Sequence, residues 1–191
     1  MATQNPIETE GTYPLPEAQV DRFMMKVLVD YPTEDEEFVI VERVTGPAVD
    51  VAAVATTDQL AQLQRECRNV YVDPALITYA VKLVAATRQP AKAGLKDLAK
   101  YVAFGASPRA TIGLIEGARA LAFLRGRAYV LPEDLLDLTG DVLRHRISLT
   151  YEALADGISA DALVERIVKA LPAPAKPLAP GAQHERIAAN G

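Results

Sequence analysis

The sequence has no tryptophan and only one cysteine and two histidines among its 191 residues. Aromatic residues make up 6% of the chain, so we do not expect a large stacking surface for single-stranded nucleic acid. Cys67 cannot form an internal disulfide, and together with His145 and His184 it offers too few ligands for a zinc site. We therefore expect no metal centre, and a reducing, cytoplasmic compartment.

Long apolar runs and targeting signals are missing as well. No apolar run approaches the roughly 20 residues that span a bilayer. The first residues, Met-Ala-Thr-Gln-Asn-Pro, have neither the basic nor the apolar region of a signal peptide. The sequence therefore predicts no membrane partner.

The net charge of −5 is distributed unevenly along the chain. Residues 1–60 hold 3 basic and 12 acidic side chains, whereas residues 82–127 hold 9 basic and 2 acidic ones. The basic stretch suits an anionic ligand or an acidic neighbouring surface, although a set of solvated helix faces would look the same. Nucleic acid is disfavoured as the anion because the sequence pI is about 5.1 and aromatic residues are not interleaved with the basic ones.

Capping patterns and apolar spacing predict a mainly helical chain. Thr33 to Glu36 is a capping box, which predicts a helix with Phe38, Val41 and Val44 on one face. Three further caps predict helices after Asp73, Ser107 and Ser159, the second of them spanning about 108–125. The predicted inward faces are Leu76, Ile77, Ala80, Val81 and Val84 in the first of these helices, and Ile112, Ile115, Ala118, Leu121, Ala122 and Leu124 in the second.

One segment near the N-terminus has a different pattern. Residues 23–29 form a nearly continuous apolar run between polar residues, which is typical of a strand buried on both faces of a parallel sheet. A single strand is not stable alone, so this segment needs neighbouring strands that the chain does not obviously supply. The last residues, 172–191, are rich in proline and alanine and are predicted to be a flexible tail.

Three polar residues are candidates for binding or chemistry. Asn5 could orient a water at the carboxyl end of a strand, or form a turn before Pro6. Arg22 could present a guanidinium to a phosphate, or pair with Asp21 at the surface. Arg109 is predicted to be the second residue of a helix, where a cation opposes the helix dipole unless a polyanion lies nearby.

These residues lie in stretches that resemble a known family. Residues 1–23, from Met-Ala-Thr-Gln-Asn-Pro to Val-Asp-Arg-Phe, are similar to the sensor 1 to arginine-finger segment of MoxR-type AAA+ ATPases. Gly-Ala-Ser-Pro-Arg-Ala at 105–110 resembles their sensor 2 motif, and residues 126–134 and 142–147 resemble further parts of their helical lid. The resemblance covers about residues 1–171.

The resemblance implies a fold and a set of roles. The expected fold is an α/β remnant of an AAA+ core at 1–45, a connector at 46–56, a mainly helical lid domain at 57–171 and the tail at 172–191, so that the chain is predominantly α. Asn5 matches sensor 1, which positions the attacking water. Arg22 matches the arginine finger, which reaches the nucleotide of a neighbouring subunit, and Arg109 matches sensor 2, which contacts the bound phosphates. The family further implies a ring, expected to be a hexamer, which works as a chaperone-like machine in the maturation of client proteins or metal insertion into them, with partners that carry von Willebrand factor A domains.

The chain departs from the family pattern in two places. The phosphate-binding loop, Gly-x-x-x-x-Gly-Lys-Ser/Thr, is absent from the sequence, and so is the acidic motif that holds Mg²⁺. In a complete family member both precede the segment that matches residue 1. We therefore expect ATP and Mg²⁺ in the complete protein, neither of them held by this chain alone, and no appreciable ATP hydrolysis by the chain alone. The alternative is a non-catalytic helical module that binds or regulates a partner.

Overall fold

The computed structural model describes residues 1–3 and 15–175. These residues divide into two compact units, a larger one within Met1–Lys26 and Val70–Gly191 and a smaller one at Val27–Asn69. The helices in the described ranges are α1 (Glu17–Val20), α2 (Glu34–Thr45), α3 (Thr57–Arg68), α4 (Pro74–Arg88), α5 (Pro108–Leu124), α6 (Pro132–Leu143), α7 (Tyr151–Ala155) and α8 (Ala160–Ala170). Short 3₁₀ turns lie at Pro90–Ala93, Lys96–Tyr101 and Arg144–Arg146, and the strands are β1 (Val102–Phe104) and β2 (Ser148–Leu149).

The smaller unit contains α2 and α3, and both helices begin at a capping box. The predicted box is confirmed, because the Thr33 hydroxyl accepts from the Glu36 N–H at 3.4 Å and the Glu36 carboxylate accepts from the Thr33 N–H at 2.9 Å. Thr56 and Gln59 make the equivalent pair at the start of α3. These reciprocal bonds satisfy N–H groups that a helix end leaves without partners, and this explains where each helix begins.

The predicted strand at 23–29 is wrong. Residues 23–29 do not pair with any strand among the described residues, and Val27, Leu28 and Val29 have exposed fractions of 64%, 57% and 89%. A fully buried strand needs a neighbour on each side to satisfy its backbone groups, and the described chain contains no parallel sheet that would supply them. Apolar character alone therefore does not make this segment a strand.

The larger unit has its core between α4, α5, α6 and α8. The three predicted caps are confirmed, since the side chains of Asp73, Ser107 and Ser159 accept from backbone N–H groups at 2.7, 3.2 and 3.1 Å. Pro74 and Pro108 follow the first two caps as the first helical residues, where the missing N–H costs nothing. The predominantly helical character expected from the sequence is confirmed.

The inward face of α5 agrees with the predicted one only in part. Ile112 and Leu124 are 63% and 81% exposed, whereas Ala110, Leu114 and Ala118 are fully buried. The buried face also includes Gly113, Gly117 and Ala122. Small residues on this face let α6 approach closely, as a Cβ on Gly117 would lie 2.9 Å from Leu138 Cδ1. Apolarity at helical spacing predicted the helix and part of the side that packs, since Ala118 and Ala122 were expected inward and are buried. In α4, likewise, Leu76, Ala80 and Val84 are buried, whereas Ile77 and Val81 are 41% and 47% exposed.

The two short strands were not predicted. They pair antiparallel, with Val102 opposite Leu149 and Phe104 opposite Ser148. Strands of three and two residues are too short to show an alternating pattern in the sequence. None of the helices in the described ranges is long and apolar enough to cross a membrane.

Candidate functional site

Two of the three candidate residues lie on the same cleft in the larger unit. Arg22 and Arg109 both line it, together with a third arginine, Arg146, which sequence reasoning had not selected. The other lining residues are Asp21, Met24, Ile112, Gly113 and Glu116. Asn5 lies outside the described residues, so its predicted role stays a prediction.

Arg22 lies in the turn that ends α1. The Arg22 N–H donates to the Gln19 carbonyl at 3.2 Å, and the Phe23 N–H donates to the Val20 carbonyl at 3.1 Å. The side chain is exposed, and within the part of the chain that the structure describes its guanidinium makes no hydrogen bond or ion pair. The suggested surface pair with Asp21 is not formed, because the Asp21 carboxylate contacts other residues. The Arg22 guanidinium is therefore free of described partners, and Arg22 is one of the residues that line the cleft.

Arg109 is the second residue of α5, as the sequence predicted. Its N–H donates to the Ser107 hydroxyl, which itself donates to the Asp21 carboxylate at 2.9–3.0 Å. The Arg109 Nε lies 4.0 Å from Asp21 Oδ2, beyond hydrogen-bonding distance, and the side chain is 52% exposed. Asp21 thus offsets the Arg109 charge only weakly, and the guanidinium donors remain available to an anion.

Arg146 is the residue of the cleft that the sequence did not single out. Its side chain is only 2% exposed, and its Nε donates to Asp21 Oδ1 at 3.1 Å. Burial lowers the pKa of the guanidinium, and the Asp21 carboxylate opposes this shift. The sequence did contain a signal, because Arg146 directly precedes Ile147 and follows Val142 and Leu143 closely. All three of these apolar side chains are buried. A charged residue among buried apolar residues indicates a buried ion pair. The sequence does not reveal the partner, because Asp21 lies 125 positions away.

The electrostatics of the cleft favour an anion. Three arginines face two carboxylates, and Glu116 is already paired with Arg119 at 3.0 Å. The N-terminus of α5 adds its partial positive charge at the same place. The cleft measures about 240 Å³, which is below the roughly 300–1,000 Å³ typical of pockets that hold a whole small-molecule ligand. Its size and charge suit the phosphates of a nucleotide better than a complete nucleotide.

The loop before α5 is held against the end of α4. The Ala106 N–H donates to the Thr87 hydroxyl at 2.9 Å, and Arg88 Nη1 donates to the Ala106 carbonyl at 2.9 Å. A Cβ on Gly105 would lie 2.5 Å from backbone atoms of Thr87 and Arg88. Only glycine allows this approach, so Gly105 determines where the α5 N-terminus and Arg109 lie.

We expect Gly105→Ala to lower the free energy of unfolding by about 1–3 kcal/mol, because backbone atoms cannot move aside to accept the added methyl group. Gly126→Ala is the matched control, since a Cβ there meets nothing within 4 Å and only its positive φ of 71° is strained. Thermal denaturation should show the larger loss for Gly105→Ala. Equal stability of Gly105→Ala and the wild type would contradict the close approach.

His145 lies in the 3₁₀ turn after α6 and contacts the segment that contains Phe23. Its Nε2 lies 3.0 Å from the Phe23 carbonyl, which can only accept, so the Nε2 carries the proton. Burial lowers the pKa of the ring below its ordinary value. Among the described residues, no three or more His, Cys, Asp or Glu side chains are grouped as metal ligands would be.

Two family models match parts of this chain. Residues 94–167 match the family described as AAA lid domain, and residues 1–25 match the family described as ATPase family associated with various cellular activities (AAA). The matched ranges include both Arg22 and Arg109.

Two curated relatives and one solved structure are similar over most of the chain. Chaperone MoxR1 of Mycobacterium tuberculosis is 48% identical over 174 residues, which cover 91% of this chain and 46% of that protein. Protein MoxR of Paracoccus denitrificans is 34% identical over 188 residues, covering 91% of this chain and 55% of the relative. The crystal structure of a putative ATPase from Cytophaga hutchinsonii superposes with a TM-score of 0.86 at 42% identity, covering 90% of this chain and 53% of that one. The chain thus spans about half the length of each of these proteins.

Proposed function

Because this chain belongs to the MoxR family of AAA+ ATPases, we propose that it supplies the phosphate-sensing arginines and the lid of a chaperone-like ATPase. The phosphate-binding loop and the Mg²⁺-binding acidic motif are absent from the sequence, so ATP and Mg²⁺ are held mainly by another segment. The chain alone then has no appreciable turnover.

The observation that carries this proposal is the common cleft of Arg22 and Arg109. Phosphoryl transfer requires positioning and neutralisation of charge that develops on phosphate oxygens, and little covalent chemistry from the protein. Arginine suits this task because its planar guanidinium can donate two hydrogen bonds to one phosphate. Both side chains border the cleft with guanidinium donors still available.

The shared cleft also favours one target for both arginines. An arginine finger reaches the nucleotide of a neighbouring subunit, and Arg109 of the same chain lines the same cleft as Arg22. Arg109 therefore acts on that same neighbouring nucleotide. Asn5, as sensor 1, orients the attacking water.

The remaining parts of the proposal follow from the family. The assembly is a ring, expected to be hexameric, in the cytoplasm. Its work is the maturation of client proteins or metal insertion into them, assisted by partners with von Willebrand factor A domains. The names of the relatives, which include a chaperone, support the chaperone-like part of this role.

Binding of inorganic tripolyphosphate to this chain tests the proposal without ATP turnover. We expect Arg22→Ala and Arg109→Ala each to weaken binding about tenfold, because each removes charge-assisted hydrogen bonds. Isothermal titration calorimetry at a fixed salt concentration gives the dissociation constants.

Arg166→Ala is the matched control, since it removes the same charge from α8, where Arg166 pairs with Asp97. Its dissociation constant should stay close to that of the wild type. If all three variants weaken binding equally, only the net charge matters and the cleft is not the site. If the wild type does not bind, the non-catalytic interaction module becomes the better account.

A further inference from the structure

A buried guanidinium holds the backbone on both sides of Arg22. Arg146 Nη2 donates to the carbonyl oxygens of Asp21, at 3.1 Å, and of Phe23. Arg146 Nη1 donates to the Met24 carbonyl at 3.0 Å and to the Val142 carbonyl. Together with the bond from Nε to the Asp21 carboxylate, each nitrogen of this guanidinium has a protein acceptor.

Neighbouring residues of Arg146 hold the next part of the same segment. His145 Nε2 donates to the Phe23 carbonyl at 3.0 Å, and Arg144 Nη1 donates to the Lys26 carbonyl at 2.7 Å. The Lys26 N–H donates to the Asp141 carbonyl at 2.8 Å. Residues 21–26 are thus attached to the end of α6 and the turn after it by backbone and side-chain bonds.

The other side of the segment packs on α5. A Cβ built on Gly113 would lie 3.7 Å from the Met24 carbonyl oxygen, and one on Gly117 would lie 3.4 Å from the terminal carbons of Met24 and Met25. The two methionines therefore lie against the glycine face of the helix that begins with Arg109. This packing and the bonds to Arg146 are independent contacts that fix the same six residues, 21–26, relative to Arg109.

We propose that Arg146, together with Asp21, is a positioning pair that fixes Arg22 relative to Arg109 so that both guanidinium groups meet one polyphosphate. The proposal rests on the proposed function of the cleft. Arg146 is not itself a phosphate ligand, because it is buried and its donors are occupied. Asp21 links the two sides, since its carboxylate accepts from Arg146 and from Ser107, which caps the helix of Arg109.

Arginine is suited to this position by the geometry of its donors. A guanidinium presents five N–H groups in a rigid plane, whereas a lysine ammonium has three donors at one point. A lysine at 146 keeps the charge but cannot reach the carbonyls of Asp21, Phe23 and Met24 together with the carboxylate. Arg146→Lys therefore keeps the positive charge and removes the bonds that position residues 21–26.

Two measurements on the full chain test the pair. The first is the backbone order of residues 21–26 from ¹⁵N NMR relaxation, which we expect to fall in Arg146→Lys. Arg127→Lys is the control, because Arg127 also holds a buried carboxylate, that of Asp134, but does not line the cleft. Unchanged order at 21–26 in Arg146→Lys, or an equal loss in Arg127→Lys, would overturn the proposal.

The second measurement is a double-mutant cycle on tripolyphosphate binding. Arg146→Lys and Arg22→Ala should each weaken binding about tenfold, and the double variant should lose little more than either alone, because Arg146 acts through Arg22. Losses that multiply to about a hundredfold would mean that the two act independently.

The two proposals fail in different ways. A wild-type chain that does not bind tripolyphosphate contradicts the function of the cleft, and the positioning of residues 21–26 is then decided by the relaxation data alone. Binding that depends on Arg22 but not on Arg146 supports the cleft and contradicts the positioning pair.

Discussion

Arg22→Ala is expected to reduce ATP turnover by about 10³-fold when this chain is combined with a phosphate-loop segment of a relative, the lower end of what an arginine finger contributes. The reason is that the Arg22 guanidinium, which has no described partner, supplies positive charge where the transferred phosphate develops negative charge. Turnover is measured as phosphate release under saturating ATP, so that weaker binding does not hide the effect on the chemical step.

Two variants separate the role of Arg22 from general effects. Arg22→Lys keeps the charge without the two-pronged donor geometry and should recover only part of the turnover. Arg166→Ala on α8 should retain wild-type turnover. If the combined protein is active and its turnover persists in Arg22→Ala, the finger assignment is contradicted.

The second large effect concerns the stability of the lid. Asp134, the third residue of α6, is fully buried and accepts from Arg125 Nη1 at 2.8 Å, from the Leu131 N–H at 2.8 Å and from Arg127. Asp134→Asn should lower the free energy of unfolding by about 3 kcal/mol, because removing one partner of a buried pair leaves the others uncompensated. Urea denaturation at pH 7 measures the change.

Asp137→Asn is the matched control. Asp137 accepts from Arg125 at 2.7 Å but is half exposed, so its loss should cost less than about 1 kcal/mol. Equal losses for the two variants would show that the buried pair contributes no more than a surface one.

The pH dependence gives a second readout of Asp134. Burial opposes ionisation of this carboxyl, but hydrogen bonds from Arg127, the Leu131 N–H and Arg125 outweigh it and leave the pKa below its ordinary value. Its stabilising contribution is therefore present above the unfolded pKa of about 3.9 and is lost as the pH falls through the lower folded pKa. In Asp134→Asn the loss of stability with acid should be smaller than in the wild type.

Helix boundaries could be predicted because the signals are local. Thr33, Asp73, Ser107 and Ser159 each accept from an N–H two or three residues later, so a short window of sequence contains the whole interaction. The packed side of α5 could be predicted only in part in this way. It depends on the glycines that admit α6, and the side chains that meet there are distant in sequence.

The position of Arg109 could be predicted for the same reason. The helix cap placed Arg109 correctly, and its unfavourable position at a helix N-terminus indicated an anion. Arg146 and its bonds to residues 21–24 join positions more than 120 residues apart, which no local pattern reveals. Phe23, Met24 and Lys26 lie in the segment predicted as a strand. Their carbonyls instead accept from Arg144, His145 and Arg146.

The domain boundaries expected from the sequence differ from the boundaries of the two compact units. The sequence places a boundary near residue 45 and begins the lid at 57, following the family, whereas the compact units divide after Lys26 and before Val70. The difference arises because residues 21–26 are attached to the end of α6 and to the turn after it. The family-based division remains a proposal about the complete protein.

The central claim is that Arg22 and Arg109 of one chain act on one nucleotide, and mixed assemblies test it most directly. Equal amounts of Arg22→Ala and Arg109→Ala chains are combined with the phosphate-loop segment, and ATP turnover is compared with that of each variant alone. Because every mutant chain lacks one of the two arginines, the mixture should be no more active than the single variants. If the two arginines act on different nucleotides, random mixing completes some sites, and recovery of about a quarter of the wild-type turnover would contradict the claim.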